Sequence, residues 1–181
     1  MHDIKKLSDE KLVVKVREEN KEFYAEIVNR YQDKLMKYAT YLINNEDKAA
    51  DVVQEALIKA FINLNGFNTN KKFSSWIYRI VHNEAMNAVK RYHKEVPIEK
   101  NMDWSGNANL EEEFDKKQIQ EMAQKCLNEI PIKYSEPLVL YFMEDYSYED
   151  ISDILRLPMG TVATRINRAK ALMKNICQKN K

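Results

Sequence analysis

The chain has 181 residues, of which 31% are charged and 44% hydrophobic, with a net charge of +1. Its mean hydropathy is -0.62, and no apolar run approaches the roughly 20 residues that a membrane-spanning helix needs. The N-terminal segment mixes acidic and basic residues and lacks the apolar core of a signal peptide. We therefore expect a cytosolic protein without membrane insertion. Only three glycines occur, which is too few for a phosphate-binding or dinucleotide-binding loop and favours an all-helical fold.

Residues that commonly bind metals or perform catalysis are present but not suitably arranged. His2, His82 and His93 do not lie at metal-ligand spacing from one another or from a cysteine. Cys126 and Cys177 are far apart and form no CxxC pair, so we predict two free thiols. No HExxH motif, Ser–His–Asp order or carboxylate dyad occurs. The sequence therefore predicts no metal, no cofactor and no intrinsic catalysis.

Three amphipathic helices are predicted in the N-terminal half, each from apolar residues spaced three or four apart. The first covers residues 23–43 and buries Phe23, Ile27, Tyr31, Leu35, Tyr38 and Leu42. The second covers residues 44–64 and buries Val52, Ala56, Ala60 and Leu64. The third covers residues 74–94, with Ser74 or Ser75 as its N-cap and with buried Ile77, Ile80, Val81 and Val89.

The segment 95–112 has no sustained period, contains Pro97 and Gly106, and carries five acidic residues against one basic residue. We interpret it as an acidic linker. It joins an N-terminal domain of residues 1–94 to a C-terminal domain of residues 113–181. In the latter, we expect a helix over about 110–130 that ends before Pro131, a helix over 135–144, and two helices after that. The predicted fold is all-α, with two small helical domains joined by a flexible linker.

The last two helices have the pattern of a helix-turn-helix. Ser147 and Asp150 have capping-box spacing, and Pro158 ends the first helix while Gly160 allows a tight turn into the second. Val162, Ile166, Ala169 and Leu172 or Met173 form the predicted buried stripe of that second helix. Its outward face carries Thr161, Thr164, Arg165, Asn167 and Arg168, and no acid follows Asp153.

These outward side chains suit the major groove of duplex DNA, which a recognition helix enters with its N-terminal residues. Arginine pairs bidentately with guanine, asparagine pairs with adenine, and the threonine methyl group contacts thymine. Ser147 and the N-terminal amides of the preceding helix are suited to a phosphate. A helical hairpin with an ordinary solvated basic face is the alternative.

A second candidate surface lies in the segment between Glu55 and Glu84, which contains no carboxylate but is rich in aromatic, amide and basic side chains. Rings that stack on bases and cations that follow phosphates bind single-stranded DNA, and amides can hydrogen-bond an extruded base. The alternative is that Phe73 and Trp76 are core residues; for Phe67, which lies in a polar loop, we favour a binding role. The candidate residues are Phe67, Lys71, Lys72, Arg79, Asn83, Asn87, Lys90 and Arg91.

Several of these motifs resemble the extracytoplasmic-function sigma factors of the bacterial sigma-70 family. The run "LNEIPIKYSEPLVLYFMEDYSYEDI" and the following "LPMGTVATRINRAKALMK" are similar to their region 4. "DKAADVVQEALIKAF" resembles region 2.2, and "FSSWIYRIVHNEAMNAVKRY" resembles regions 2.3 and 2.4. The resemblance covers about 20–94 and 113–176 in the family's order. It departs at Arg156, where the family often has glycine, and at Ala163, where many members have a polar residue that contacts DNA.

The resemblance implies a protein that binds core RNA polymerase and directs transcription initiation at promoter DNA. Region 4 would recognise the -35 element through Thr164, Asn167 and Arg168. The loop and third helix would capture the non-template strand of the -10 element, with Phe67 and Asn83 nearest the flipped base. One exposed side of the second helix would dock on the clamp helices of the largest polymerase subunit through Asp51, Gln54, Glu55 and Ile58. An anti-sigma factor that hides this side is also expected.

Two other functions remain open at this point. A helix-turn-helix activator or repressor would bind duplex DNA by itself through residues 147–175, without acting as a polymerase subunit. A helical adaptor would not contact DNA at all, so replacing Arg165 and Arg168 would leave its activity unchanged.

Overall fold

A computed structural model describes residues 4–95, 123 and 125–179. All regular structure in these residues is helical, which confirms the predicted fold class. The chain divides into two compact units. The N-terminal unit contains helices α1 (Asp9–Glu18), α2 (Tyr24–Ile43), α3 (Glu46–Ile62) and α4 (Phe73–Glu95). The C-terminal unit contains α5 (Ile132–Phe142), α7 (Met159–Lys179) and all but the last three residues of α6 (Tyr148–Leu155). The predicted linker and most of the helix predicted over 110–130 lie outside the described residues.

Helix α1 was not predicted from the sequence. Ser8 caps it by accepting a hydrogen bond from the Lys11 amide at 3.4 Å, and Asp9 and Glu10 in its first turn suit the positive end of the helix dipole. Leu12, Val13 and Val16 are buried. The helix is therefore part of the N-terminal core.

The apolar stripes predicted for α2 and α3 form the centre of this core. All members of the α2 stripe are buried except Phe23, which lies in a short 3-10 turn (Lys21–Phe23) before the helix. Helix α2 ends at Asn44 in a left-handed conformation, and α3 begins at the N-cap Asn45, which accepts from the Lys48 amide at 2.9 Å. In α3, Val52, Ala56 and Ala60 are buried as predicted.

The start of α4 differs from the prediction that Ser74 or Ser75 caps it. The helix begins at Phe73, whose amide donates to a carboxylate oxygen of Glu10 on α1 at 3.1 Å. Ser75 is buried within the first turn. A side chain 63 residues away in sequence therefore accepts from a backbone amide at the start of α4, where the sequence predicts a local serine cap. Further along α4, Ile77 and Val81 are buried as predicted, whereas Ile80 and Val89 are half-buried.

The C-terminal unit contains the predicted helix-turn-helix. The capping box of α6 is formed: the Asp150 amide donates to Ser147 Oγ, and the Ser147 amide donates to Asp150 Oδ2, both at 3.2 Å. In α7, Val162, Ile166 and Ala169 of the predicted stripe are fully buried, whereas Leu172 and Met173 at its end are half-buried. Helices α6 and α7 are thus a helix-turn-helix pair.

The turn between α6 and α7 is made differently from the prediction. Gly160 lies in the first turn of α7, and its φ is not positive. The left-handed residue is Arg156, the C-cap of α6, with φ 56° and ψ 44°. Its amide donates to the Ser152 carbonyl, so the chain turns here as it would with glycine at this position. The substitution of arginine for the glycine common in the family therefore leaves the left-handed turn in place.

The prediction of two free thiols is wrong. Cys126 and Cys177 form a disulfide, with their Cα atoms 5.7 Å apart, a separation typical of disulfides. The two residues are 51 positions apart in sequence. They meet because the C-terminal part of α7 lies beside the helical residues 125–128. Linear spacing carries no information about such a contact.

Candidate nucleic-acid and polymerase interfaces

Helix α7 presents the side chains that the sequence predicts for duplex DNA. Thr164, Asn167 and Arg168 are exposed, while Thr161 and Arg165 are half-buried. They lie opposite the stripe that packs into the C-terminal unit. The Thr164 hydroxyl donates to the Gly160 carbonyl at 2.8 Å, so its hydrogen is already used, while its methyl group remains available to a base.

Arg168 is held by an aromatic ring. Its guanidinium carbon lies 5.2 Å from the centroid of the Tyr134 ring on α5, within the range of a cation–π contact. A guanidinium on a ring loses less conformational freedom when it pairs with a base than a freely rotating one does. Tyr134 was not predicted from the sequence, because it lies on another helix.

Ser147 has less capacity for a phosphate than the sequence suggests. Its hydroxyl donates to Asp150 Oδ2 at 2.7 Å and accepts from the Asp150 amide. A phosphate at this helix end would have to displace the hydroxyl from Asp150, whose negative charge also opposes an anion. The contribution of Ser147 to the site is therefore through the capping box, which begins α6.

Helix α4 presents the second set of predicted residues. Its exposed side carries Asn83, Asn87, Lys90 and Arg91, and Arg79 is half-buried one turn before Asn83. Spacings of three and four place these side chains along one side of the helix. The arrangement is a row of amide and cationic groups opposite the buried residues Ile77, Val81 and Ala85.

Phe67 does not have the exposure that the prediction requires. Its side chain is 5% exposed, and its ring packs against the rings of Phe73 at 5.5 Å and Trp76 at 5.1 Å. A buried ring cannot stack on a base in this conformation, so the predicted base contact of Phe67 is replaced by a structural role. The cluster anchors the first residue of the loop 67–72 to the start of α4.

The loop 67–72 forms one wall of a cleft of about 510 Å³. Lys71 and Lys72 line this cleft together with Ser8, Glu10 and Lys11 from the start of α1. The segment that contains no acid in sequence therefore has a carboxylate beside it in space, that of Glu10. Because the Glu10 carboxylate accepts a hydrogen bond from the Phe73 amide, the positive end of the α4 dipole offsets part of the carboxylate charge.

The residues predicted to dock on polymerase lie together on α3. Asp51, Gln54 and Glu55 are exposed, and Ile58 is 47% exposed. Their positions place them along one side of the helix. Glu55 lies 3.3 Å from the Lys59 ammonium, which also binds Glu84 of α4 at 2.8 Å.

An apolar groove continues this side of α3. The groove has a volume of about 750 Å³ and is lined by Gln54 and Ile58 together with apolar side chains of α2 and α3: Tyr24, Val28, Met36, Val53, Leu57 and Phe61. Ile62 beside it is 69% exposed. The sequence signal that indicates the groove is the pair Val28 and Met36, apolar residues of α2 that lie outside its buried stripe.

Two titratable groups that bond α3 to its neighbouring helices have raised pKa values. Burial raises the pKa of Tyr24, whose hydroxyl donates to the Leu57 carbonyl at 2.7 Å. The hydrogen bond to Glu84 raises the pKa of Lys59, and the bond to Glu55 adds to this against the opposing effect of desolvation. The Tyr24 bond links α2 to α3, and the bond between Lys59 and Glu84 links α3 to α4.

Other kinds of site are not found in the part of the chain that the structure describes. Among those residues, no cluster of His, Cys, Asp and Glu side chains could hold a metal ion. Nor is any of their helices long and apolar enough to cross a membrane.

The fold and the exposed faces together define a class: a two-unit helical protein with a helix-turn-helix in the second unit. Comparison with known families agrees with both halves. Residues 27–95 match the family model "Sigma-70 region 2", and residues 120–173 match "Sigma-70, region 4".

Curated relatives match along nearly the whole chain. The ECF RNA polymerase sigma-E factor of Haemophilus influenzae is 30% identical, over 95% of this chain and 96% of that protein. The ECF RNA polymerase sigma factor SigW of Bacillus subtilis is 26% identical, over 91% and 94% respectively. Among solved structures, the sigma factor RpoE from Bartonella quintana, crystallised with the anti-sigma factor NepR, has a TM-score of 0.70 at 22% identity. The structural match covers 87% of this chain and 98% of the RpoE chain.

The chain belongs to the ECF branch of the sigma-70 family of RNA polymerase sigma factors. This membership confirms the family resemblance stated from the sequence. It also decides between the three functions left open there, because the relatives are polymerase sigma factors rather than free-standing regulators or adaptors.

Proposed function

We propose that this sigma factor divides promoter recognition between two described surfaces, α7 for the -35 duplex and α4 with the loop 67–72 for the unpaired -10 strand. The observation that carries this proposal is shared by the two helices. Each buries a continuous apolar stripe in its own unit and leaves amide and cationic side chains exposed on the opposite side. Such groups recognise base edges and phosphates.

At the -35 element, Arg168 and Asn167 supply the hydrogen bonds that distinguish bases, and Arg165 contributes positive charge near the phosphates. The Tyr134 ring limits the orientations of the Arg168 guanidinium before DNA arrives. At the -10 element, Asn83 and Asn87 supply amides for unpaired bases. Lys71, Lys72, Arg79, Lys90 and Arg91 supply charge for the phosphates of the same strand.

Core polymerase docks on α3 in this proposal. Asp51, Gln54 and Glu55 provide the polar contacts with the clamp helices of the largest subunit, and Ile58 provides an apolar contact at the edge of the groove. The same side is the proposed target of an anti-sigma factor, which would compete with polymerase by covering it. The RpoE structure, in which a sigma factor of similar fold is bound to the anti-sigma factor NepR, supports this part of the proposal.

The remaining parts of the proposal follow from the family. Residues 1–94 and 113–181 act as separate domains, and the acidic segment 95–112 joins them along a path toward the RNA exit channel. The chain supplies recognition and strand opening but no catalysis of its own, because RNA synthesis is the chemistry of the polymerase. It acts in the cytoplasm with that enzyme.

Reconstitution tests the proposal directly. The purified chain is added to sigma-free core polymerase with genomic DNA, and the 5′ ends of the transcripts are sequenced. We expect starts at discrete sites that share two short upstream elements. Transcripts without defined starts, or no association with core enzyme, would refute the proposed function.

A matched pair of variants tests the docking side. Glu55→Gln removes one charge from the proposed contact, whereas Glu46→Gln removes the same charge nine positions earlier, on the opposite side of α3; both side chains are exposed. We expect Glu55→Gln to weaken core binding about threefold to tenfold in a competition assay, and Glu46→Gln to leave it within about twofold. Equal effects would show that α3 does not dock in this orientation.

A further inference from the structure

Two side chains of α1 hold opposite ends of the loop 67–72. Glu10 and Arg17 are seven positions apart, which places them on the same side of the helix and about 10 Å apart along its axis. Helix α1 precedes the matched sigma-70 region 2, which begins at residue 27. Neither residue was a candidate in the sequence analysis.

Arg17 holds the start of the loop. Its Nε donates to the Leu64 carbonyl at 3.0 Å, and its Nη2 donates to the Phe67 carbonyl at 2.5 Å and also to that of Leu64. The guanidinium thus bridges two carbonyls three residues apart, one in the short 3-10 turn (Leu64–Gly66) and one in the first residue of the loop. Hydrogen bonds from a charged donor are stronger than neutral ones, and a planar fork fixes the direction of both carbonyls.

Glu10 holds the end of the loop. Its Oε1 accepts from the amide of Phe73, the first residue of α4, at 3.1 Å. This amide has no partner within the helix, since the first four amides of an α-helix lack one, and a carboxylate there also suits the helix dipole. The bond fixes where the loop stops and the recognition helix begins.

Between these two anchors, two short-range hydrogen bonds shape the loop. The Lys71 amide donates to the Asn68 carbonyl and the Asn70 amide donates to Asn68 Oδ1, each at 2.9 Å. These bonds shape the turn but do not orient it on the protein. Lys71 and Lys72 are exposed and line the cleft beside the start of α1.

We propose that α1 is a brace for the -10 recognition loop, with Arg17 and Glu10 as positioning residues. The loop and α4 then reach DNA already ordered, which reduces the conformational entropy lost on binding an unpaired strand. This inference rests on the proposed function for its statement about the -10 element. The bracing itself is a property of the free chain and is testable without polymerase.

The first measurement is residue-resolved amide hydrogen exchange in the free full-length chain. Glu10→Ala is expected to speed exchange of the Phe73 amide about tenfold, while Glu10→Gln, which keeps an acceptor oxygen, restores it to within about threefold. Arg17→Met keeps the aliphatic stem but removes the donors, and should speed exchange at Asn70 and Lys71 about tenfold. Arg17→Lys, with one nitrogen, should fall between Met and wild type.

Lys15→Met is the control. It removes the same charge from the same helix, and its ion pair is with Glu19 of α1 rather than with the loop. Exchange at Asn70 and Lys71 should stay within about twofold of wild type. Amides in α2 and α3 should likewise stay within about twofold in Arg17→Met, because the brace acts on the loop rather than on the core.

The second measurement uses the reconstituted holoenzyme. Permanganate reactivity of the -10 thymines should appear about tenfold more slowly with Arg17→Met or Glu10→Ala, while affinity for core polymerase stays within about twofold. A tenfold change corresponds to 1.4 kcal/mol. Glu10→Gln should restore the rate, which a loss of general stability would not predict.

Three outcomes would overturn the brace: unchanged loop exchange in both Arg17→Met and Glu10→Ala, an equal effect from Lys15→Met, or a uniform rise in exchange across α2 and α3. If wild-type holoenzyme opens no promoter, the proposed function fails. The exchange data from the free chain then still decide whether α1 braces the loop.

Discussion

Replacing Arg156 with glycine should stabilise the C-terminal unit without changing what it recognises. Arg156 ends α6 in the left-handed conformation, with φ 56° and ψ 44°. This conformation costs a residue with a Cβ about 1–2 kcal/mol, and glycine does not incur that cost. The extra conformational entropy of glycine in the unfolded chain lowers stability by about 0.5–1 kcal/mol. The net backbone gain, relative to Arg156→Ala, is therefore about 0.5–1 kcal/mol.

Differential scanning calorimetry under one fixed redox condition measures this gain. For a unit of 60–100 residues, it corresponds to a rise of roughly 2–8 °C in the melting temperature of the C-terminal transition. Affinity for -35 duplex and transcript start sites should be unchanged, because the backbone already has the left-handed turn that glycine would adopt.

Two controls separate the backbone effect from the loss of charge. Arg156→Ala removes the same charge but keeps a Cβ, so it should lack the stabilisation that glycine gives in the left-handed conformation. Asn44→Gly changes the left-handed C-cap of α2, at φ 55° and ψ 38°, where asparagine already tolerates the conformation; its gain should be smaller. A melting temperature for Arg156→Gly equal to or below that of Arg156→Ala would refute the reasoning.

Three further results are expected. Arg168→Ala should weaken promoter binding by about 1–3 kcal/mol in a quantitative footprint with core affinity unchanged, whereas Lys174→Ala, an exposed charge further along α7, should have a much smaller effect. Asn83→Ala should lower permanganate reactivity of the -10 thymines while -35 protection persists; unchanged reactivity would contradict its proposed role. Burial raises the pKa of Tyr24 above its usual value near 10, so its contribution to stability is fully present below about pH 10 and is lost above it. Tyr24→Phe should therefore lose less stability than wild type between pH 9 and pH 11 in urea unfolding, and equal losses would contradict this.

Features set by residues within a few positions of one another were predictable from the sequence alone. The stripe in α2 follows from apolar side chains spaced three and four apart, and burial of Ile27, Leu35 and Tyr38 is its direct consequence. The capping box of Ser147 and Asp150 requires only a spacing of three and the first turn of a helix. The exposed side of α7 follows in the same way, since Asn167 must face away from the buried stripe. Helix content, the helix-turn-helix and the exposure of most of the candidate DNA-binding side chains were therefore predictable.

Features that join distant parts of the chain were decided by the tertiary structure. Glu10 meets the amide of Phe73 across 63 positions, and Arg17 meets the carbonyl of Phe67 across 50. Packing of the N-terminal helices buries Phe67, which the sequence pattern placed in a polar binding loop. Packing within the C-terminal unit brings Cys126 to Cys177. Helical periodicity is a local property and specifies which side of a helix is apolar. Which partner satisfies a given polar group, and which ring loses its exposure, depends on how the helices pack together.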